Sequence, residues 1–227
     1  MPERSTEALL QELCQDLTPV RPLGSLRVTA CVLAGVFALA LAASGMLGLP
    51  LPGLTSGVPW RSAAFLALLL GLGLLAAGGL TVALAGAIPG RDALECVGRR
   101  MAWAGLGVCI ATSLGWCLSP GALGGGEVPL AASLNCLARA AGLALPPALA
   151  AGVFLARAYE CRRLMGGVWA CVGAVALGAW AVHASCSAGD AAHVVLGHVL
   201  EPLAVAALVG ALIAPWLRRD PVREGAV

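Results

Sequence analysis

The chain contains no lysine. Its 14 basic residues are all arginine, and against 12 acids they leave a formal charge of only +2. A nucleic-acid binder shows a basic face, so this even balance argues against direct nucleic-acid binding. Charged residues are 11% of the 227 positions and hydrophobic residues 59%. Soluble domains are roughly 25% charged, and the mean hydropathy here is +0.90, which excludes a water-soluble globule. Disorder is excluded too, since it needs low hydrophobicity and high charge. No Cys-x-x-Cys pair occurs among the nine cysteines, which argues against a dithiol oxidoreductase. The period-two alternation of a membrane β-barrel is also missing. The chain uses lipid as its solvent.

What is present is a series of long apolar runs. A helix needs about 20 mostly apolar residues to cross a bilayer, and six stretches qualify: 28–49, 63–88, 101–118, 131–156, 164–184 and 191–217. Pro/Gly-rich or charged segments separate them. The expected fold is an all-α bundle of six transmembrane helices (27–218), with a cytoplasmic tail before it (1–26) and a short one after it (219–227). An uncleaved first span is expected rather than a signal peptide, because the 27 residues before it are long for a signal's charged leader. Cytoplasmic loops carry the positive excess. Twelve arginines fall in the two tails and the second and fourth loops, one (Arg61) in the first loop and one (Arg139) inside a span. Both termini are therefore expected in the cytoplasm.

Residues 6–18 read as a short amphipathic helix. Thr6 can cap it, Glu7 suits the positive end of its dipole, and Pro19 and Pro22 stop it. Leu9, Leu10, Leu13 and Leu17 share one face, with Glu12, Gln15 and Asp16 on the other. A helix this short is marginal alone in water. Either it lies on the membrane, where such anchors are usually basic on the polar face, or its leucines fill a groove on a cytosolic partner.

The chemistry-bearing residues gather on the opposite side. The fourth span opens with Asn135, Cys136 and Arg139; the fifth ends in His183, followed by Cys186 and Asp190; the sixth begins with His193, His198 and Glu201. Arg139 and Glu201 reach similar depths at about 1.5 Å per residue. Intramembrane charges are normally paired, so an Arg139–Glu201 bridge is expected, with snorkelling of Arg139 to the interface as the alternative. Cys14, Cys96 and Cys161 should meet the cytosol, and Cys31, Cys109 and Cys171 the membrane interior. Cys117, Cys136 and Cys186 approach the outer side. Cys136 and Cys186 could form a disulfide, hold a thiophilic metal or remain a redox-sensitive pair. His193 and His198 stand about 140° apart on an α-helix, unlike the i, i+4 pair of a zinc site. They are expected to hydrogen-bond, with Asp190 and His183 as partners, rather than to form a ready metal site. No cofactor is expected. Pro146, Pro147 and Pro202 give the fourth and sixth spans places to bend. A transporter is disfavoured because no polar path reaches the cytoplasmic half and the first span has no matching break.

Three segments carry a resemblance. The first is the Leu-x3-Leu run followed by Thr18-Pro19-Val20-Arg21-Pro22-Leu23 and Arg27. The second is Asn135-Cys136-Leu137 with Leu145-Pro146-Pro147. The third is Cys186-x6-His193-Val194-Val195-Leu196-Gly197-His198 with Pro202. Together, over essentially the whole chain, they resemble the NrsF-like proteins, inner-membrane anti-sigma factors that hold a sigma-F-type extracytoplasmic-function sigma factor inactive. The resemblance implies a non-enzymatic regulator, with the sigma factor and the bilayer as its partners. It further implies that Cys136 and Cys186 sense oxidative or heavy-metal stress. The periodicity offers Leu9, Leu10, Leu13 and Leu17, with Pro19 and Arg21, as the sigma-factor surface. The competing expectation is a redox, metal or haem-handling membrane protein built on Cys186, His193 and His198.

Overall fold

The fold is given by a computed structural model, which describes residues 25–46, 62–118, 130–158, 163–186 and 191–217. The amphipathic segment 6–18, with Leu9, Leu10, Leu13, Leu17, Pro19 and Arg21, lies outside the described residues, as does Asp190. The described residues form helices α1 (Leu26–Met46), α2 (Ala63–Gly86), α3 (Asp92–Cys117), α4 (Leu130–Arg157) and α5 (Arg163–Ser185). A last element follows in three parts: α6 (Ala191–Val195), a π-helical turn (Leu196–Leu200) and α7 (Glu201–Leu217). No strand occurs among the described residues.

Five helical stretches are long and apolar enough to cross a membrane: Leu26–Ala43, Ala63–Gly86, Ala131–Arg157, Met165–Ser185 and Ala192–Gly210. Large apolar side chains such as Val32, Leu39, Leu70, Leu149 and Leu212 face outward from them. In water such a surface would drive association; in a bilayer it is the surface the lipid requires. α3 differs from its sequence expectation. It begins at Asp92 rather than near residue 101, because Asp92 and Glu95 sit in its first turn, where the helix dipole favours acids. Glu95 also pairs with Arg99 one turn on. Those charges leave 101–117 as the apolar part, at the short limit of what spans a bilayer, about 17–25 residues.

Gly90, at φ 78°, sits in the left-handed region that only a residue without Cβ enters cheaply. It turns the chain from α2 back along α3. The two helices then meet backbone to backbone. A Cβ on Gly105 of α3 would lie 2.5 Å from the Leu75 nitrogen, and one on Gly78 of α2 would strike the backbone of Ala102. α5 approaches α2 as closely: a Cβ on Gly173 would come 2.6 Å from the Leu80 nitrogen. α4 joins at Gly178, whose Cβ would strike the Ala140 carbonyl. Without a hydrophobic driving force between helices in lipid, such close contact is the main source of their cohesion.

The packed interior has three levels. Leu33, Ala83, Leu84, Ala87, Ala151, Leu155, Ala158 and Ala170 form one end, with Leu26 against them. Leu75, Ala76, Ala102 and Ala176 fill the middle. Leu68, Leu72, Cys109, Ala179, Val194 and Val199 form the other end. Consecutive helices therefore run in alternating directions. The start of α1, the α2–α3 turn and the end of α4, which carry Arg27, Arg91 and Arg157, share the first end. α4 is helical without a break through Pro146 and Pro147, and Pro147 is fully buried.

Candidate thiol–imidazole centre

The site occupies the end of the bundle opposite those arginines, where the start of α2, the start of α4, the end of α5 and α6 meet. Cys136 lies in the second turn of α4 and Cys186 directly after α5. Their sulfurs stand 3.9 Å apart across 50 residues of sequence. His193 of α6 places Nε2 3.5 Å from the Cys136 Sγ and 3.4 Å from the Cys186 Sγ. Its other nitrogen, Nδ1, lies 3.3 Å from the Ser133 hydroxyl, one turn before Cys136. Ser133 is completely buried, so α4 supplies both a thiol and the group that orients the histidine facing it.

A second pair of histidines backs the first. His198 Nδ1 is 3.0 Å from His183 Nδ1, and His183 Nε2 is 3.3 Å from the Phe65 carbonyl. The Phe65 ring stacks on His183 at a centroid distance of 4.3 Å. His183, His193 and His198 are only 1–2% exposed. The expected His183–His198 hydrogen bond is present. Asp190, the other expected partner, lies outside the described residues.

The 140° separation of His193 and His198 is corrected. Their rings lie edge to face, 5.2 Å between centroids, because the last element is not an uninterrupted α-helix. A π turn bonds residues five apart, which brings position 198 back over position 193. Its cause is the following proline. Pro202 has no N–H to give the His198 carbonyl, and its ring crowds that carbonyl, so a regular α turn is disfavoured just upstream. As a result the ligand atoms of Cys136, Cys186, His193 and His198 all lie within 4.8 Å of one another. Spacing on a regular α-helix alone argues against such a group.

Arg139 is half-buried and its Nε makes no hydrogen bond among the described residues. The side chain of Glu201, its expected partner, is not among those described. Asn135 is exposed at the helix surface and takes no part in the cluster. Of the other cysteines, Cys109 is buried against α2, Cys171 is half-buried, and Cys31, Cys96 and Cys117 are exposed. Two participants, Ser133 and the Phe65 carbonyl, were not read from the sequence. Ser133 could have been found as the residue one turn before Cys136. A backbone carbonyl leaves no sequence signal.

A separate concavity of about 340 Å³ opens near the arginine end, lined by Val82, Glu95, Arg99, Trp103, Met165 and Trp169 among others. It brings no thiol or imidazole together.

No protein-family model matches the chain, and no curated protein or solved structure matches it.

Proposed function

We propose that the chain is a multi-pass inner-membrane anti-sigma factor of the NrsF-like kind. In this reading α3 is a sixth span, both termini are cytoplasmic, and the tail with its leucine face holds an extracytoplasmic-function sigma factor. Stress acts at the outer thiols. The observation that carries the sensing half is the 3.9 Å approach of the Cys136 and Cys186 sulfurs with the His193 imidazole against both. The orientation is supported by the arginine distribution and by the gathering of the helix ends that carry Arg27, Arg91 and Arg157 at the end away from the thiols. Sequestration itself rests on the three sequence segments described above.

Two thiols at this separation have two chemical options. Oxidation removes two electrons and two protons, which a peroxide-type oxidant accepts, and closes an S–S bond of about 2.05 Å. Alternatively a thiophilic cation displaces both thiol protons and is held by the sulfurs. The disulfide shortens the sulfur separation and the cation holds it near its present value, and either ties the start of α4 to the end of α5. Signalling requires that the two states differ in affinity for the partner.

The test is co-purification of the full-length protein from membranes with a co-expressed cytosolic sigma factor, before and after oxidant or heavy metal. Retention before stress and release after it are expected. Failure to retain any sigma factor overturns the partner, and release that persists in the Cys136→Ser/Cys186→Ser double variant overturns the sensor. Reporter fusions placing residue 1 and Cys186 in one compartment would overturn the topology. The metal-handling alternative is favoured by the four converging donor residues; it expects a bound ion and no captured partner.

A further inference from the structure

The geometry points to His198 as a fourth donor that turns the thiol pair and His193 into a four-coordinate Cys2His2 site for a zinc-class divalent cation, with His183 as its positioning residue. This rests on the reading of Cys136 and Cys186 as the sensing pair, and names what else binds there and which cations fit. It does not depend on the sigma factor.

The hydrogen-bond chain fixes the tautomers. A carbonyl oxygen only accepts, so His183 Nε2 carries the proton it donates to Phe65 O. A neutral imidazole has one N–H, so His183 Nδ1 is an acceptor. His198 Nδ1, 3.0 Å away, must then be the donor. That leaves Nε2 of His198 as a lone pair. This atom is buried and has no hydrogen-bond partner among the described residues, in a ring that is 1% exposed. A buried acceptor left unsatisfied is destabilising. A bound cation satisfies it, and metal-ligating histidines commonly have their other nitrogen held in this way.

The distances fit the same ion. Zinc bonds of about 2.3 Å to sulfur and 2.0–2.1 Å to nitrogen at the tetrahedral angle give edges of about 3.8 Å between sulfurs and about 3.6 Å from sulfur to nitrogen. The structure has 3.9 Å between sulfurs and 3.5 and 3.4 Å to His193 Nε2. Three corners of the tetrahedron are therefore already set. All four residues offer a donor atom within 4.8 Å of the others, so closing the set on an ion takes a side-chain movement of about 1 Å relative to those edges. A linear two-sulfur site, which would suit a monovalent soft ion, needs neither histidine. Two sulfurs and two nitrogens in a tetrahedron suit zinc and similar divalent ions. On binding, the two thiols each lose a proton and both imidazoles stay neutral.

The experiment uses the full chain, purified in detergent and fully reduced, loaded with Zn²⁺ for X-ray absorption and with Co²⁺ for visible spectroscopy. One ion per chain is expected, with two sulfur and two nitrogen scatterers and the visible bands of tetrahedral cobalt. His198→Ala should lower affinity by ten- to a hundredfold and alter those bands while sulfur charge transfer persists. His183→Ala should lower affinity over the same range yet retain two nitrogens at saturation, the mark of a positioning residue. A wild-type site with sulfur scatterers only, or a His198→Ala protein with unchanged affinity and bands, overturns the proposal. So does the absence of one-to-one binding; the sensor reading would still stand if oxidation alone released the partner. The scatterer count is made on the wild type, so it decides the matter even if the variants misfold.

Discussion

The Nδ1 atoms of His183 and His198 face each other at 3.0 Å, joining the last turn of α5 to the π turn inside the final span. The link continues to the Phe65 carbonyl of α2. The ring that backs the thiol pair is thus fixed on α2, which meets both α3 and α5 backbone to backbone.

Oxidation should close a Cys136–Cys186 bond within one chain. The 3.9 Å gap is short enough for side-chain rotation to bring the sulfurs into bonding distance. Treating membranes with a thiol oxidant and counting alkylatable cysteines by mass should show a loss of two. Either single variant, Cys136→Ser or Cys186→Ser, should abolish that loss. If oxidation protects a pair that includes Cys117 instead, the sensing pair is misassigned.

Pro202→Ala restores the N–H that bonds the His198 carbonyl in an α-helix, and should return Leu196–Leu200 to α geometry. His198 would then swing away from His193. The expected result is at least a tenfold loss of Co²⁺ affinity with helicity by circular dichroism unchanged. Unchanged affinity would show that the proline does not set the turn.

Gly105→Ala places a methyl 2.5 Å from the Leu75 nitrogen and should destabilise the α2–α3 pair by about 1–3 kcal/mol, the range for overpacking. Gly107→Ala, two residues on, meets nothing within 4 Å and should fall within about 0.5 kcal/mol of the wild type or gain slightly from helix propensity. Thermal unfolding in one detergent, both variants side by side, measures the contrast.

Leu13→Asp with Leu17→Asp should weaken sigma-factor capture at least tenfold. Burying one leucine contributes about 1.5–3 kcal/mol, and 1.4 kcal/mol is a factor of ten. The double variant should insert in membranes at wild-type levels. Capture unchanged by these substitutions would move the binding surface to the loops.

The fold was legible to the degree that hydropathy decides it. Five apolar runs reappear as helices with nearly the expected bounds, because only a helix satisfies its own backbone in lipid. The start of α3 was not legible from hydropathy, since it is set by Asp92, Glu95 and the Gly90 turn. The glycine contacts were hidden for a different reason. In a chain with 30 glycines every small-residue pattern matches somewhere, and only the packed structure distinguishes Gly105, which touches a neighbour, from Gly107, which does not.

Within the site, Cys136, Cys186 and the His183–His198 pair followed from the order of the spans. The convergence of His193 with His198 did not. It depends on Pro202, whose effect on the turn before it outweighs the angular spacing of the two histidines. Arg139 and Glu201 keep their sequence-derived pairing as an expectation, since the structure describes the side chain of only one of them.

α1 rests chiefly on α4, through Leu33 against Ala151 and Leu155, while most of its surface faces outward. α4 is also the helix that carries Cys136 near its far end. One rod therefore touches both the thiol pair and α1, the first described helix of the chain. A tilt begun at the first would be felt at the second with no relay between them, because among the described residues α4 is the main support of α1.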